Sequence, residues 1–168
     1  MSKKMAKDMG VKLKLLPTAW DGIIAALVTE KCDIIMSGMT ITQQRNLKVN
    51  FADPYVVVGQ TIMKRKDVAA KSAKELDKPE YTIVTKLGVT GEIATKKFFK
   101  KAKIITFETE SDAASEVLSG KADAMVYDQP YNILFMSDKG KGKLVHLDSP
   151  LTYEPLGWAI RKGDPDFL

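Results

Sequence analysis

One pattern occurs twice in this chain, ninety positions apart, and it restricts the fold to helices and strands in alternation. Trp20-Asp-Gly-Ile-Ile-Ala-Ala-Leu27-Val-Thr-Glu-Lys31-Cys32-Asp33-Ile-Ile-Met36 has its counterpart in Glu110-Ser-Asp-Ala-Ala-Ser-Glu-Val117-Leu-Ser-Gly-Lys121-Ala-Asp123-Ala-Met-Val126. In each copy an amphipathic helix ends at a polar turn, a Lys-x-Asp follows, and a short apolar strand comes next. The first strand runs into Ser37-Gly38 and the second into Tyr127-Asp128. Both sites lie just past the carboxyl ends of strands, where open α/β sheets bind ligands.

The first copy leads into Ser37-Gly38-Met39-Thr40-Ile-Thr42-Gln-Gln-Arg45, which reads as a carboxylate trap. Ile34, Ile35 and Met36 form the continuous apolar run of a parallel strand covered on both faces. Gly38 would let the backbone approach a ligand without a Cβ in the way. Thr40 and Thr42 are candidate helix N-caps, so free backbone amides should point outward at an anion-attracting helix start. Arg45 offers a planar fork that pairs bidentately with a carboxylate. An ordinary strand-turn-helix with a solvated Arg45 would give the same segment. The second copy adds the complementary group, because Asp128 follows its strand. A guanidinium in one half and a carboxylate in the other match the two charges of an amino acid.

Length and composition bound this reading. At 168 residues the chain is one domain or two small lobes, and 45% hydrophobic content suits a globular core. No apolar run reaches the roughly 18 residues of a membrane span. The start, Met1-Ser-Lys-Lys-Met-Ala-Lys-Asp8, lacks the apolar core of a signal peptide, so the chain as it stands carries no export signal. The single cysteine, Cys32, cannot form an internal disulfide and reads as core filler. The net charge of +5 draws on Lys96, Lys97, Lys100, Lys101 and Lys103, which share a helix with Phe98 and Phe99. A solvated face opposite a buried aromatic stripe explains them better than a nucleic-acid patch, which would mix in arginines. His146 is the only histidine, and with no second His or Cys nearby it makes no metal site.

A coarse pass predicts a helix over Met1–Met9 stopped by Gly10, an alternating strand Val11–Leu16, a helix over about Trp20–Thr29 with Trp20, Ile23, Ile24, Leu27 and Val28 on one face, a strand Asp33–Met36 and a helix from Thr42. Phe51-Ala-Asp-Pro-Tyr55 is a turn, Val56–Lys64 a β-branched crossing stretch, and Val68–Glu80 a polar connection. There follow strand Tyr81–Lys86, a glycine turn, a helix through Lys101, strand Ile104–Phe107, a helix opened by the capping box Thr109-x-x-Asp112, and strand Ala124–Tyr127. The order argues for parallel sheets. Asp164-Pro165 has the signature of a helix start.

Taken together, Trp20-Asp-Gly-Ile-Ile24, Ser37-Gly-Met-Thr-Ile-Thr42 with Arg45, Phe51-Ala-Asp-Pro-Tyr55, Gly88-Val-Thr-Gly-Glu92, Gly120-Lys-Ala-Asp-Ala-Met-Val-Tyr-Asp128 and Leu151-Thr-Tyr-Glu-Pro-Leu-Gly157 closely resemble the polar amino-acid solute-binding proteins of bacterial ABC importers. The resemblance implies an α/β fold of the two-lobe, type II periplasmic-binding-protein kind. Its first lobe would comprise residues 1–57 plus 161–168 and be incomplete, lacking a first strand before Met1 and helices after Leu168; its second lobe would be residues 58–160. Unpaired strand edges in the first lobe would then favour pairing with a second copy.

The resemblance also assigns a pocket. Arg45, with the amides around Thr40 and Thr90, would take the α-carboxylate, while Asp128 and the Thr40 hydroxyl take the α-ammonium. Trp20 would lie under the ligand side chain, and Ser37, Gly38, Met39 and Gly88 complete the lining. Lys86, if it points inward, would repel lysine or arginine and favour glutamine or glutamate. Implied partners are a small amino acid and, in the full-length protein, ABC-transporter membrane subunits, at the periplasm or cell surface; no cofactor and no nucleic acid is implied. The alternatives are the ligand-binding domain of an amino-acid sensor and a dehydratase-like enzyme on the same fold, for which Glu92 is the only acid near the pocket beyond Asp128.

Overall fold

The computed structural model describes residues 1–147, 149–163 and 167. The chain forms two compact units, Met1–Val56 with Pro155–Leu168, and Val57–Glu154.

In the first unit, helix α1 (Ser2–Asp8) is followed by a single 3-10 turn at Trp20–Gly22, helix α2 (Ile23–Val28), strand β1 (Ile34–Thr40), the short helix α3 (Gln43–Asn46) and strand β2 (Asn50–Phe51). Strand β3 (Val56–Val58) carries the chain onward. The second unit contains β4 (Gln60–Arg65), α4 (Ala73–Leu76), β5 (Thr82–Lys86), α5 (Thr90–Phe98), β6 (Lys103–Phe107), α6 (Glu110–Leu118), β7 (Ala124–Asp128), α7 (Gln129–Asp138) and β8 (Leu144–Leu147). The last strand, β9 (Glu154–Ile160), returns to the first unit.

There β9 lies between β1 and β2 and is antiparallel to both: Ile35 faces Ala159 and Thr40 faces Leu156 on one side, and Asn50 faces Ile160 on the other. This pairing corrects the expected lobe boundary. Residues 155–160 belong to the first unit, not the second, because their hydrogen bonds go to β1 and β2. It also corrects the parallel reading of Ile34–Met36, whose recorded ladder is antiparallel. An apolar run reports burial on two faces, and burial does not fix strand direction. Beneath this sheet Ile23, Leu27, Ile35, Met39, Val49 and Ala159 form the core, with Trp20, Ile24 and Cys32 at its margin. Val28, placed on that face by periodicity, is exposed at the helix end.

The strand expected at Val11–Leu16 does not form. The segment has no regular structure, and Val11, Leu13, Leu15 and Leu16 are 56%, 40%, 69% and 46% exposed. Alternation marks a strand only when a neighbour supplies hydrogen bonds, and none of the described residues forms a ladder with this segment. It borders an open groove of about 510 Å³ whose other wall includes Ile34, Ile35 and Met36.

The second unit is a five-stranded mixed sheet in the order β6-β5-β7-β4-β8. Strands β6, β5 and β7 run parallel, as alternating helices and strands predict, whereas β4 is antiparallel to both β7 and β8. One face is covered by a core around Leu76, Ile83, Phe99 and Val126, the other by Val84, Val117, Met125 and Phe135. Phe99 is buried, but Phe98 is partly exposed with the Lys97 ammonium 5.8 Å from its ring, so the aromatic stripe is one residue wide. The helix ends at Phe98, short of the expected Lys101, where Asp77 accepts the backbone amides of Lys100, Lys101 and Ala102. The capping box at Thr109 is present, its hydroxyl accepting the Asp112 amide at 3.1 Å. The helix start expected at Asp164-Pro165 lies outside the described residues.

The internal repeat extends to its helix caps. After α6, Gly120 has φ +83° and donates to Val117, while Lys121 donates back to Glu116; after α2, Glu30 takes φ +62° and donates to Leu27, while Lys31 donates back to Ala26. Both are paired-bond caps of the kind that glycine favours, because a Cβ crowds the carbonyl in left-handed backbone. Replacing Glu30→Gly should therefore raise unfolding stability by about 1 kcal/mol, read from the urea midpoint; an unchanged or lowered midpoint would mean the Glu30 side chain compensates for the strain.

Candidate functional site

The site residues fall into two groups, one in each unit. In the first, the ladder from β9 carries β1 as far as Thr40, so this threonine is a strand residue and only Thr42 caps a helix. Thr42 accepts the Arg45 amide at 3.2 Å, which starts α3 and fixes where the arginine projects. The Arg45 guanidinium donates to the Thr40 carbonyl at 2.8 Å and lies 5.4 Å from the centre of the Trp20 ring. A hydrogen bond and a cation–π contact hold it half-buried, which excludes the freely solvated arginine allowed by the sequence. Trp20 thereby serves as both core margin and platform.

Gly38 is required for a different reason from the one expected. Its φ is +62° and it sits where the β1–β9 register shifts between Ile35 and Met39, so it makes a bulge in the strand. The Met39 side chain is 1% exposed and packs in the core, so a lining role for this residue falls to its backbone. Ser37 is exposed and Thr40 is buried.

In the second unit the antiparallel register sets Gln60 directly opposite Asp128. Opposed residues have Cβ atoms about 5 Å apart, within side-chain reach, and the Gln60 carboxamide nitrogen donates to the Asp128 carboxylate. The same nitrogen lies 3.3 Å from the Glu154 carboxylate and 3.4 Å from the Thr90 hydroxyl. Glu154 also accepts the Thr90 hydroxyl at 2.6 Å and the Thr152 hydroxyl at 2.9 Å. Thr90 is the first residue of α5 and Asp128 the residue before α7, so both lie at helix starts. Gln60, Thr152 and Glu154 were missed by sequence reasoning. Thr152 and Glu154 lie within the Leu151-Thr-Tyr-Glu-Pro-Leu-Gly157 motif without being singled out there, and Gln60 shows only as one polar residue in the Val56–Lys64 stretch.

Gly88 and Lys86 prove to be engaged within the fold. The Gly88 amide donates to Glu92 at 2.7 Å, and Glu92 also pairs with Lys96 at 2.6 Å. Burial works against the Glu92 charge, but the Lys96 and Gly88 hydrogen bonds outweigh it and keep the carboxyl below its ordinary pKa. Glu92 is thus held as a carboxylate, the wrong state for a general acid. Lys86 pairs with Glu110 at 2.7 Å. Burial and then the Glu110 charge push the Tyr127 and Tyr131 phenols upward, so both stay neutral beside this pair.

Over residues 1–168 the sequence matches the profile of the bacterial extracellular solute-binding proteins, family 3. The chain belongs to this family. It is 62% identical, with a TM-score of 0.94, to a putative binding component of an ABC transporter from Wolinella succinogenes, crystallised with lysine, covering 98% of this chain and 72% of that one. It is 33% identical to an ABC transporter glutamine-binding protein of Bacillus subtilis, covering 97% of this chain and 60% of the relative. A cyclohexadienyl dehydratase of Pseudomonas aeruginosa is 28% identical over 76% of this chain and 48% of the enzyme. The chain thus spans between about half and two thirds of the length of these curated relatives. The family fixes the fold class as the two-lobe periplasmic-binding-protein type, in agreement with the mixed α/β units and two sheets seen here.

The Lys86–Glu110 pair gives this family member a pH signature. Burial disfavours the Glu110 charge, but the Lys86 hydrogen bond and charge together with a backbone hydrogen bond outweigh it, and the folded pKa lies below the reference 4.5. A lowered carboxylate pKa contributes stability above the unfolded value and loses it as pH falls through the folded one. The urea midpoint of the parent should therefore drop below pH 4.5 more steeply than that of Glu110→Gln; parallel curves would show that the pair contributes nothing.

Proposed function

We propose that this chain binds a polar amino acid, with Arg45 taking the α-carboxylate and Asp128 the α-ammonium. The observation that carries the reading is the fixed Arg45 guanidinium, bonded to the Thr40 carbonyl and set against Trp20. A pre-oriented fork loses little freedom on meeting a carboxylate. The Thr40 and Thr90 amides and the Thr40 hydroxyl would complete the shell, and exclusion of water would strengthen each charge pair.

The expectation of glutamine or glutamate rested on an inward, repelling Lys86. Its ammonium is paired with Glu110, which removes most of that repulsion. With a relative 62% identical crystallised with lysine, a cationic amino acid now stands ahead of glutamine or glutamate as the ligand. In the whole protein the role is the substrate-binding component of an ABC amino-acid importer, at the periplasm or cell surface. Attachment to a sensor would use the same pocket. The dehydratase relative favours an enzyme as second reading, but Glu92, tied to Lys96 and Gly88, lacks the proton that eliminating a leaving group would need. Pairing of two copies through the exposed Val11–Leu16 segment belongs to the same proposal, and light scattering that shows only monomer at high concentration would remove it.

Isothermal calorimetry against the twenty amino acids tests the main reading. Lysine or arginine should bind most tightly, and Arg45→Ala should weaken that binding by roughly 100-fold, since truncating one member of a buried charge pair costs about 2–5 kcal/mol. Undiminished affinity in Arg45→Ala would refute the site, and glutamine as the sole ligand would refute the revised specificity.

A further inference from the structure

We propose that Gln60 is a positioning residue for ligand capture, its buried carboxamide nitrogen clamping the Asp128 carboxylate, the Thr90 hydroxyl and the Glu154 carboxylate into one fixed array. The inference rests on the reading of Asp128 as the ammonium-binding group and names what holds that group in place.

The argument starts from the cost of the arrangement. Gln60 is 0% exposed and heads a strand whose next residues are buried. A buried carboxamide is costly unless bonded, and an apolar side chain would serve packing better. This one spends its two N–H donors on three acceptors, two of them carboxylates, while its own carbonyl oxygen has no hydrogen-bond partner among the described residues. A side chain oriented for its own satisfaction would not leave that oxygen unmatched; one oriented for the acids does.

The second part is electrostatic. Glu154 is 6% exposed and lies close enough to share one nitrogen with Asp128, so the two carboxylates repel each other across Gln60. The amide donors between them, with the Thr90 and Thr152 hydroxyls on Glu154, let both acids remain in register. Without Gln60, Asp128 would lose the amide donor that its ladder partner supplies to the carboxylate. Backbone geometry sets the alignment, because Gln60 and Asp128 are ladder partners, and side-chain geometry completes it.

The test is a double-mutant cycle on the whole chain, with lysine, arginine and glutamine as calorimetric probes and circular dichroism to confirm folding. Gln60→Leu, close in volume but without donors, should weaken the probe that binds the parent by about tenfold or more, as expected for hydrogen bonds to a charged group. In an Asp128→Asn background the same substitution should cost less than about threefold, because the group it positions is already altered. Gln60→Glu should bind poorly at neutral pH and regain affinity on acidification, when its carboxyl carries a proton to donate. An equal cost of Gln60→Leu in both backgrounds would reduce Gln60 to scaffold and overturn the inference. Weak binding in Asp128→Asn with parental binding in Gln60→Leu would overturn it while sparing the amino-acid site; parental binding in Asp128→Asn would overturn both.

Discussion

The ladder that β9 makes with β1 and β2 is the constraint on which the first unit depends. The strand comes from the far end of the sequence and fills the space between two strands that are not otherwise neighbours. Its hydrogen bonds draw β1 out to Thr40, past the bulge at Gly38, and so fix where Thr42 caps α3 and where Arg45 emerges. The second unit is an insertion within this sheet, entered after Val56 and left before Pro155. Closing so long a loop costs chain entropy, and the resulting ladder orients the residues local to it.

The second unit solves the corresponding problem with one strand of reversed direction. Strand β4 lies antiparallel between β7 and β8, beside a parallel trio, and this reversal sets its first residue against the last residue of β7. Three parallel strands place their carboxyl ends together, as ligand-binding α/β sheets do. The antiparallel neighbour then contributes an N-terminal residue, Gln60, to the same edge. A buried polar cluster built this way is costly unless satisfied, and its hydrogen bonds run chiefly to two acids, of which Asp128 carries the proposed chemistry.

Much of the fold was legible because its elements announce themselves locally. The repeat at Lys31-Cys32-Asp33 and Lys121-Ala122-Asp123, the capping box at Thr109 and the glycine after α6 each act within a few residues of chain. What failed was non-local. Val11–Leu16 alternates like a strand, yet finds no ladder partner among the described residues; Ile34–Met36 reads as parallel, yet meets β9 head to tail. The site divides along the same line. Arg45 and Thr42 stand out because capping and charge are sequence signals, whereas Met39 turns inward and Lys86 meets Glu110 for reasons of packing and register alone. Gln60 was invisible for that reason too, since its significance lies in its opposite number, Asp128.

The central claim is the proposed amino-acid binding by Arg45 and by the Asp128 carboxylate that Gln60 orients. Solution NMR of the isotope-labelled chain, titrated with L-lysine, L-arginine and L-glutamine in turn, tests it most directly through the Arg45 guanidinium and Gln60 carboxamide signals. The account predicts that for the ligand that binds, both signals shift together along one isotherm. Shifts confined to one of the two, or two isotherms with different midpoints, would contradict it.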